Sequence, residues 1–79
     1  MPACHVMLRS ISDVKKFVSA ACAQPYDIDI LSGRYVVDAK SIMGLFSIDL
    51  SKPIRVEVHG TGADAESFRK SVEDFIVEA

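Results

Sequence analysis

The sequence is poor in the residues that most protein chemistry uses. Its 79 residues include two cysteines, two histidines, three prolines and no tryptophan. Cys4 and Cys22 are too few for the disulfide framework of a small secreted domain, so they read as two buried thiols in a reducing compartment. A zinc site would need more ligands at closer spacing: His5 adjoins Cys4, His59 is remote, and no C-x-x-C or H-x-x-x-H pair exists. No metal is expected. The formal net charge is −2. With Lys and Arg scattered and no aromatic ladder, nucleic acid and acidic membrane surfaces are not expected partners. No apolar run reaches spanning length and the first residues are not a signal peptide, which points to the cytoplasm. Repeats and low-complexity tracts are absent as well. No paired acid and base and no nucleophile with a partner can be found, so no standalone enzyme is expected. Gly60-Thr61-Gly62 lacks the third glycine and the helix start of a dinucleotide site and reads as a turn, so no cofactor is expected.

What is present is an ordinary globular mixture, 49% hydrophobic and 25% charged. The length argues for a single domain over residues 1–79 with a modest core. Cys4, Val6 and Leu8 alternate with His5, Met7 and Arg9, the pattern of a first strand with one buried face. Ser10 to Asp13 offers helix caps, and Val14, Phe17, Val18, Ala21 and Cys22 follow as a helical stripe that Pro25 ends. Tyr26 to Leu31 alternates aspartate with isoleucine, Ser32-Gly33 marks a tight turn, and Tyr35, Val36 and Val37 lie in a third strand. Ser41 caps a short helix over Ile42 to about Ile48. Lys52-Pro53 turns the chain into a fourth strand, Ile54 to His59. Asp64 or a neighbour opens a last helix with the stripe Ala65, Phe68, Val72, Phe75 and Ile76.

The order is β-α-β-β-α-β-α. This is an α+β open-faced sandwich, a four-stranded antiparallel sheet covered on one face by three helices. The other face is wet and carries His5, Arg9, Asp27, Asp29, Arg55, Glu57 and His59.

The segment Lys40-Ser41-Ile42-Met43-Gly44-Leu45-Phe46 carries two readings. Ser41 is a helix cap, worth about 1 kcal/mol, or a site where an added phosphate meets free amides and the positive end of the helix dipole. The large apolar residues after it are all core, or else Leu45 and Ile48 cover the sheet while Ile42, Met43 and Phe46 form an exposed docking patch. Ser12 likewise reads as a cap or, with Lys15 and Lys16, as an anion site at a helix start.

Element order and the run Lys40 to Ile48 resemble HPr, the histidine-containing phosphocarrier family of the bacterial sugar phosphotransferase system. The run is similar to the segment around the family's regulatory serine, and the resemblance covers about residues 4–77. Tyr26-Asp27-Ile28-Asp29-Ile30, Ile54 to Gly60 and Gly62-Ala63-Asp64 also fit it. The resemblance implies the open-faced sandwich, regulatory phosphorylation at Ser41 and partner docking through Ile42, Met43 and Phe46. It implies protein partners: HPr kinase, a transcriptional regulator or Enzyme I. The family's phosphotransfer motif, Gly-[Leu/Ile]-His-[Ala/Thr]-Arg-Pro, corresponds here to Ser10-Ile11-Ser12-Asp13-Val14-Lys15, and only Ile11 agrees. Ser12 falls on the phosphorylatable histidine, so no catalytic residue is carried over. The implied function is that of a regulatory or protein-interaction module, nearest to the Crh type of HPr-like regulator in carbon catabolite control, which also lacks the histidine. Two alternatives stand beside it: a phosphocarrier that uses another residue, and a small binding domain of unrelated purpose.

Overall fold

Ile54, Val56 and Val58 alternate with Arg55, Glu57 and His59, and this period of two decides which face of their strand is dry. In the computed structural model all three aliphatic side chains are buried. The structure describes residues 3–78, so the domain expected over 1–79 runs past the described residues at both ends. The strands are β1 (Ala3–Val6), β2 (Asp27–Ser32), β3 (Tyr35–Asp38), β4 (Ile54–His59) and β5 (Ile76–Val77). The helices are α1 (Ile11–Cys22), α2 (Ile42–Phe46) and α3 (Gly62–Ser71). Every strand pairing is antiparallel, in the order β3-β2-β4-β1-β5.

The helices lie on one face. Val14, Phe17 and Ala21 of α1, Leu45 of α2 and Phe68 of α3 are buried against Val6, Ile28, Ile30 and Val56 of the sheet. Phe17 and Phe68 meet edge to face, ring centres 5.7 Å apart at 79°, which ties α1 to α3. Gly33 opens the two-residue turn between β2 and β3 with φ of 59°. It alone has positive φ there, as a II′-type hairpin turn requires.

The sheet has a fifth strand that the sequence pattern did not suggest. Val72, Phe75 and Ile76 share the spacing of a helix, yet α3 ends at Ser71 and a 3₁₀ turn (Glu73–Phe75) follows. Ile76 then pairs with Val6, Val77 pairs with His5, and Phe75 C=O accepts the Met7 N–H at 2.9 Å. Arg69 and Lys70 in the last turn suit the negative end of the α3 dipole, and the acidic Glu73 and Asp74 stand beyond it. The new strand covers the edge of β1 that would otherwise be open.

Four smaller expectations also change. Cys22 is exposed, not buried, because α1 turns its last residue outward, and Cys4 is only half-buried. Formal strand β1 stops at Val6, although Leu8 remains buried. Helix α2 ends at Phe46, where Ser47 closes it by donating its hydroxyl to Gly44 C=O at 2.6 Å. Helix α3 is opened by Thr61, so Gly60-Thr61-Gly62 is a helix start as well as a turn. Thr61 and Asp64 form a reciprocal capping box at 3.1 and 3.0 Å.

Candidate functional site

Two helix starts and an open groove beside the first of them form the candidate site. At the start of α1 the cap is Ser10 and not Ser12. Ser10 Oγ accepts the Asp13 N–H at 3.0 Å, and Asp13 Oδ2 accepts the Arg9 N–H at 2.9 Å. Ser10 has the extended backbone a cap needs, whereas Ser12 already lies within the helix, exposed. Lys15 and Lys16 are exposed on the next turn. The Asp13 carboxylate thus holds the backbone just before the helix, and Ser10 Oγ takes one amide of the first turn.

At the start of α2, Ser41 is the cap and its Oγ accepts the Gly44 N–H at 3.1 Å. Gly44 lets the helix sit close: a Cβ there would meet Ser41 Oγ and Val37 Cβ, each at 3.3 Å. Leu45 is fully buried and Ile48 partly so. Met43 is 76% exposed and Phe46 46%, with Ile42 partly buried between them and the core. The five apolar residues are thus not all core.

An open groove of about 460 Å³ runs between the start of α1 and the end of α2, lined by Arg9, Ser10, Ile11 and Val14 on one side and by Phe46, Leu50 and Ser51 on the other. Ile11, 63% exposed, extends the apolar surface toward α1. The sequence marks Ile11 only as the residue that agrees with the family motif, not as part of a surface patch. It lies in the first turn and stays exposed.

Neither histidine lies in that groove. His5 sits in β1 opposite Arg55 and lines a separate cleft of about 480 Å³ with Arg34, Lys52 and Arg55. His59 ends β4, and its Nε2 lies 2.8 Å from Asp29 Oδ2. Asp27, Asp29, Asp38 and His59 line a further cleft, but no group of three or more His, Cys, Asp or Glu among the described residues is arranged to hold a metal ion. No helix there is long and apolar enough to cross a membrane.

Residues 13–78 match the protein family described as the PTS HPr component phosphorylation site. The chain belongs to the HPr family. HPr-family proteins are phosphocarriers that interact with other proteins of the sugar phosphotransferase system. The match begins at Asp13, so Ser10, Ile11 and Ser12 stand before it. Among solved HPr structures, HPr-C-His from Thermoanaerobacter tengcongensis superposes with a TM-score of 0.77 at 23% identity, over 94% of this chain and 89% of that one. The histidine-containing phosphocarrier protein of a Mycoplasma superposes with a TM-score of 0.70 at 16% identity, over 92% and 86%. At these identities the likeness is one of fold. No curated protein matches the sequence.

Proposed function

We propose that this HPr-family chain is a regulatory, protein-binding module that has lost the phosphocarrier histidine, and that Ser41 is where a serine kinase modifies it. The observation that carries the reading is the start of α1, where Ser10, Ser12 and Asp13 stand and no imidazole does. By the family resemblance Ser12 occupies the histidine position. A phosphocarrier needs a nitrogen that attacks phosphorus near neutral pH and then releases the group. A serine hydroxyl without a base does neither well. The Asp13 carboxylate, bonded to the Arg9 N–H, adds a like charge where phosphoryl oxygens would bind. Lys15 and Lys16 leave Ser12 in a partly cationic setting, a weaker anion site without the planar fork of an arginine.

Ser41 fits the opposite role. A phosphate on its Oγ keeps an acceptor beside the Gly44 N–H and leaves the sheet untouched, while placing negative charge next to Met43 and Phe46. Ile42, Met43 and Phe46 then form the docking surface that the phosphate switches. The partners are proteins of the phosphotransferase system or its regulation, namely HPr kinase, a transcriptional regulator or Enzyme I, and the setting is the cytoplasm. The chain performs no chemistry of its own in this reading, as in the Crh type of regulator. Incubation with HPr kinase and ATP followed by peptide mass spectrometry tests the switch. Phosphate is expected on Ser41, and its absence removes the switch.

One observation favours a second reading, phosphate carriage. His5 lies in a cleft with Arg34, Lys52 and the Glu57-paired Arg55, cations suited to phosphoryl oxygens that outnumber the one carboxylate there, Asp49. Acid-labile phosphate on His5 after treatment with Enzyme I and phosphoenolpyruvate would establish it.

A further inference from the structure

Strand β3 is an edge of the sheet, and its outward backbone groups follow from the hairpin. Ser32 and Tyr35 close the two-residue turn, and Ile30 faces Val37 two residues further on. Ala39 then donates its N–H to Ile28 C=O at 2.9 Å, continuing the same hydrogen-bonded series. Tyr35, Val37 and Ala39 therefore spend their backbone groups on β2, and Val36 and Asp38 turn theirs outward. Asp38 C=O takes the Ser41 N–H at 3.0 Å. This leaves the N–H and C=O of Val36 and the N–H of Asp38 facing solvent, with the Val36 side chain 61% exposed.

The charges flanking Val36 are also unmatched. Arg34 and Asp38 are each exposed, and neither belongs to an ion pair among the described residues. Asp38 accepts the Lys40 N–H at 2.9 Å but lies opposite Asp29 across β2, a like charge. On a larger scale the open face has an excess of one charge at each end. Asp27, Asp29 and Asp38 line the cleft at one end beside His59, and Arg34, Lys52 and the Glu57-paired Arg55 line the cleft at the other beside Asp49.

We propose that two copies of the chain pair through β3, antiparallel about a two-fold axis at Val36. In that register Val36 faces Val36 of the second copy as a reciprocal hydrogen-bonded pair. Arg34 of each copy faces Asp38 of the other, whose N–H reaches toward the Arg34 carbonyl. The two-fold axis also sets the acidic end of one open face beside the basic end of the other. A strand whose cation and anion stand equally far from its centre is its own complement, and this selects a second copy over an arbitrary strand. The other edge, β5, has two residues and offers no comparable ladder. A four-residue strand makes a small interface, so the dimer belongs to the weak, concentration-dependent class.

Sedimentation equilibrium of the full chain over a concentration series at low salt tests this, with backbone amide NMR shifts as the map. A dimer is expected, dissociating as salt is added, with the Val36 and Asp38 amides shifting with concentration and those of α2 unmoved. Val36→Pro removes an N–H that the monomer does not use and is expected to weaken dimerisation roughly tenfold or more, with an unchanged far-ultraviolet circular dichroism spectrum. Arg34→Asp alone weakens it too, and Arg34→Asp combined with Asp38→Arg restores it. If Val36→Pro fails to fold, this charge exchange decides the matter. A monomer at every concentration overturns the proposal. So does a dimer indifferent to Val36→Pro or to the charge exchange, which would place the contact on α2 or in an exchanged β1. A monomer whose β3 amides shift only when an extended peptide is added also overturns it, in favour of strand capture from a different chain.

Discussion

The Asp13 carboxylate folds back on the backbone and accepts the Arg9 N–H at 2.9 Å. Ser10 Oγ takes the Asp13 N–H, so one amide of the first turn of α1 is spent on the chain's own cap. A helix start that serves phosphate must keep such amides for its ligand.

The cap assignment separates two neighbouring serines. Ser10→Ala should cost about 1 kcal/mol of stability, whereas Ser12→Ala, at an exposed position inside the helix, should cost close to nothing. Urea unfolding of the two variants measures the difference. Equal losses would contradict the cap geometry.

Gly44 should resist replacement even though it lies in a helix. Alanine is better than glycine there by about 1 kcal/mol from propensity alone. The new Cβ, however, would stand 3.3 Å from Val37 Cβ, an atom fixed to the β3 backbone. Overpacking of this kind costs about 1–3 kcal/mol, so Gly44→Ala should be net destabilising by thermal or urea unfolding. A stabilised variant would show that α2 can move off β3.

The two aromatic rings between α1 and α3 should dominate the core. Phe17 and Phe68 are both fully buried. Phe68→Ala should cost about 3–5 kcal/mol. A double-mutant cycle with Phe17→Ala should return a coupling of about 1 kcal/mol for the edge-to-face contact. A domain this small sits near the stability limit, so Phe68→Leu is the practical variant for measuring unfolding.

The thiols and Asp49 give two tests that depend on ionisation. Burial pushes the Cys4 thiol up, against the opposing charge of Arg69. Cys22 is exposed, so iodoacetamide at neutral pH should alkylate it first, read by mass spectrometry. The hydroxyl and then the N–H of Ser51 hold the Asp49 carboxyl below its ordinary value, with burial opposing and Lys52 assisting. A folded value below the unfolded one gives stability that is present above the ordinary carboxylate range and lost as pH falls through the folded value. Asp49→Asn should therefore flatten the acid limb of the stability curve slightly, since the group is fully exposed.

Much of this was written in the sequence because local and global signals agree. In Ile54 to His59 the strand alternation coincides with burial, and the Ser41 cap precedes a helix whose Leu45 must be covered. The failures lie where two signals compete. Val72, Phe75 and Ile76 satisfy a helical period, and only the charge reversal from Arg69 and Lys70 to Glu73 and Asp74 marks the break. Ser10 and Ser12 are equal as residue types, and the choice between them rests on Ser10 Oγ reaching the Asp13 N–H from an extended backbone. Partnership across β3 could not be seen before the hairpin register fixed which amides face outward.

Whether this scaffold carries phosphate is decided by its intact mass after incubation with Enzyme I and phosphoenolpyruvate. An unchanged mass is predicted, with a conventional HPr phosphorylated in the same tube as the positive control. An acid-labile phosphate on His5 or His59, or an acid-stable one on Ser10 or Ser12, would show instead that the scaffold takes phosphate from the carrier chain.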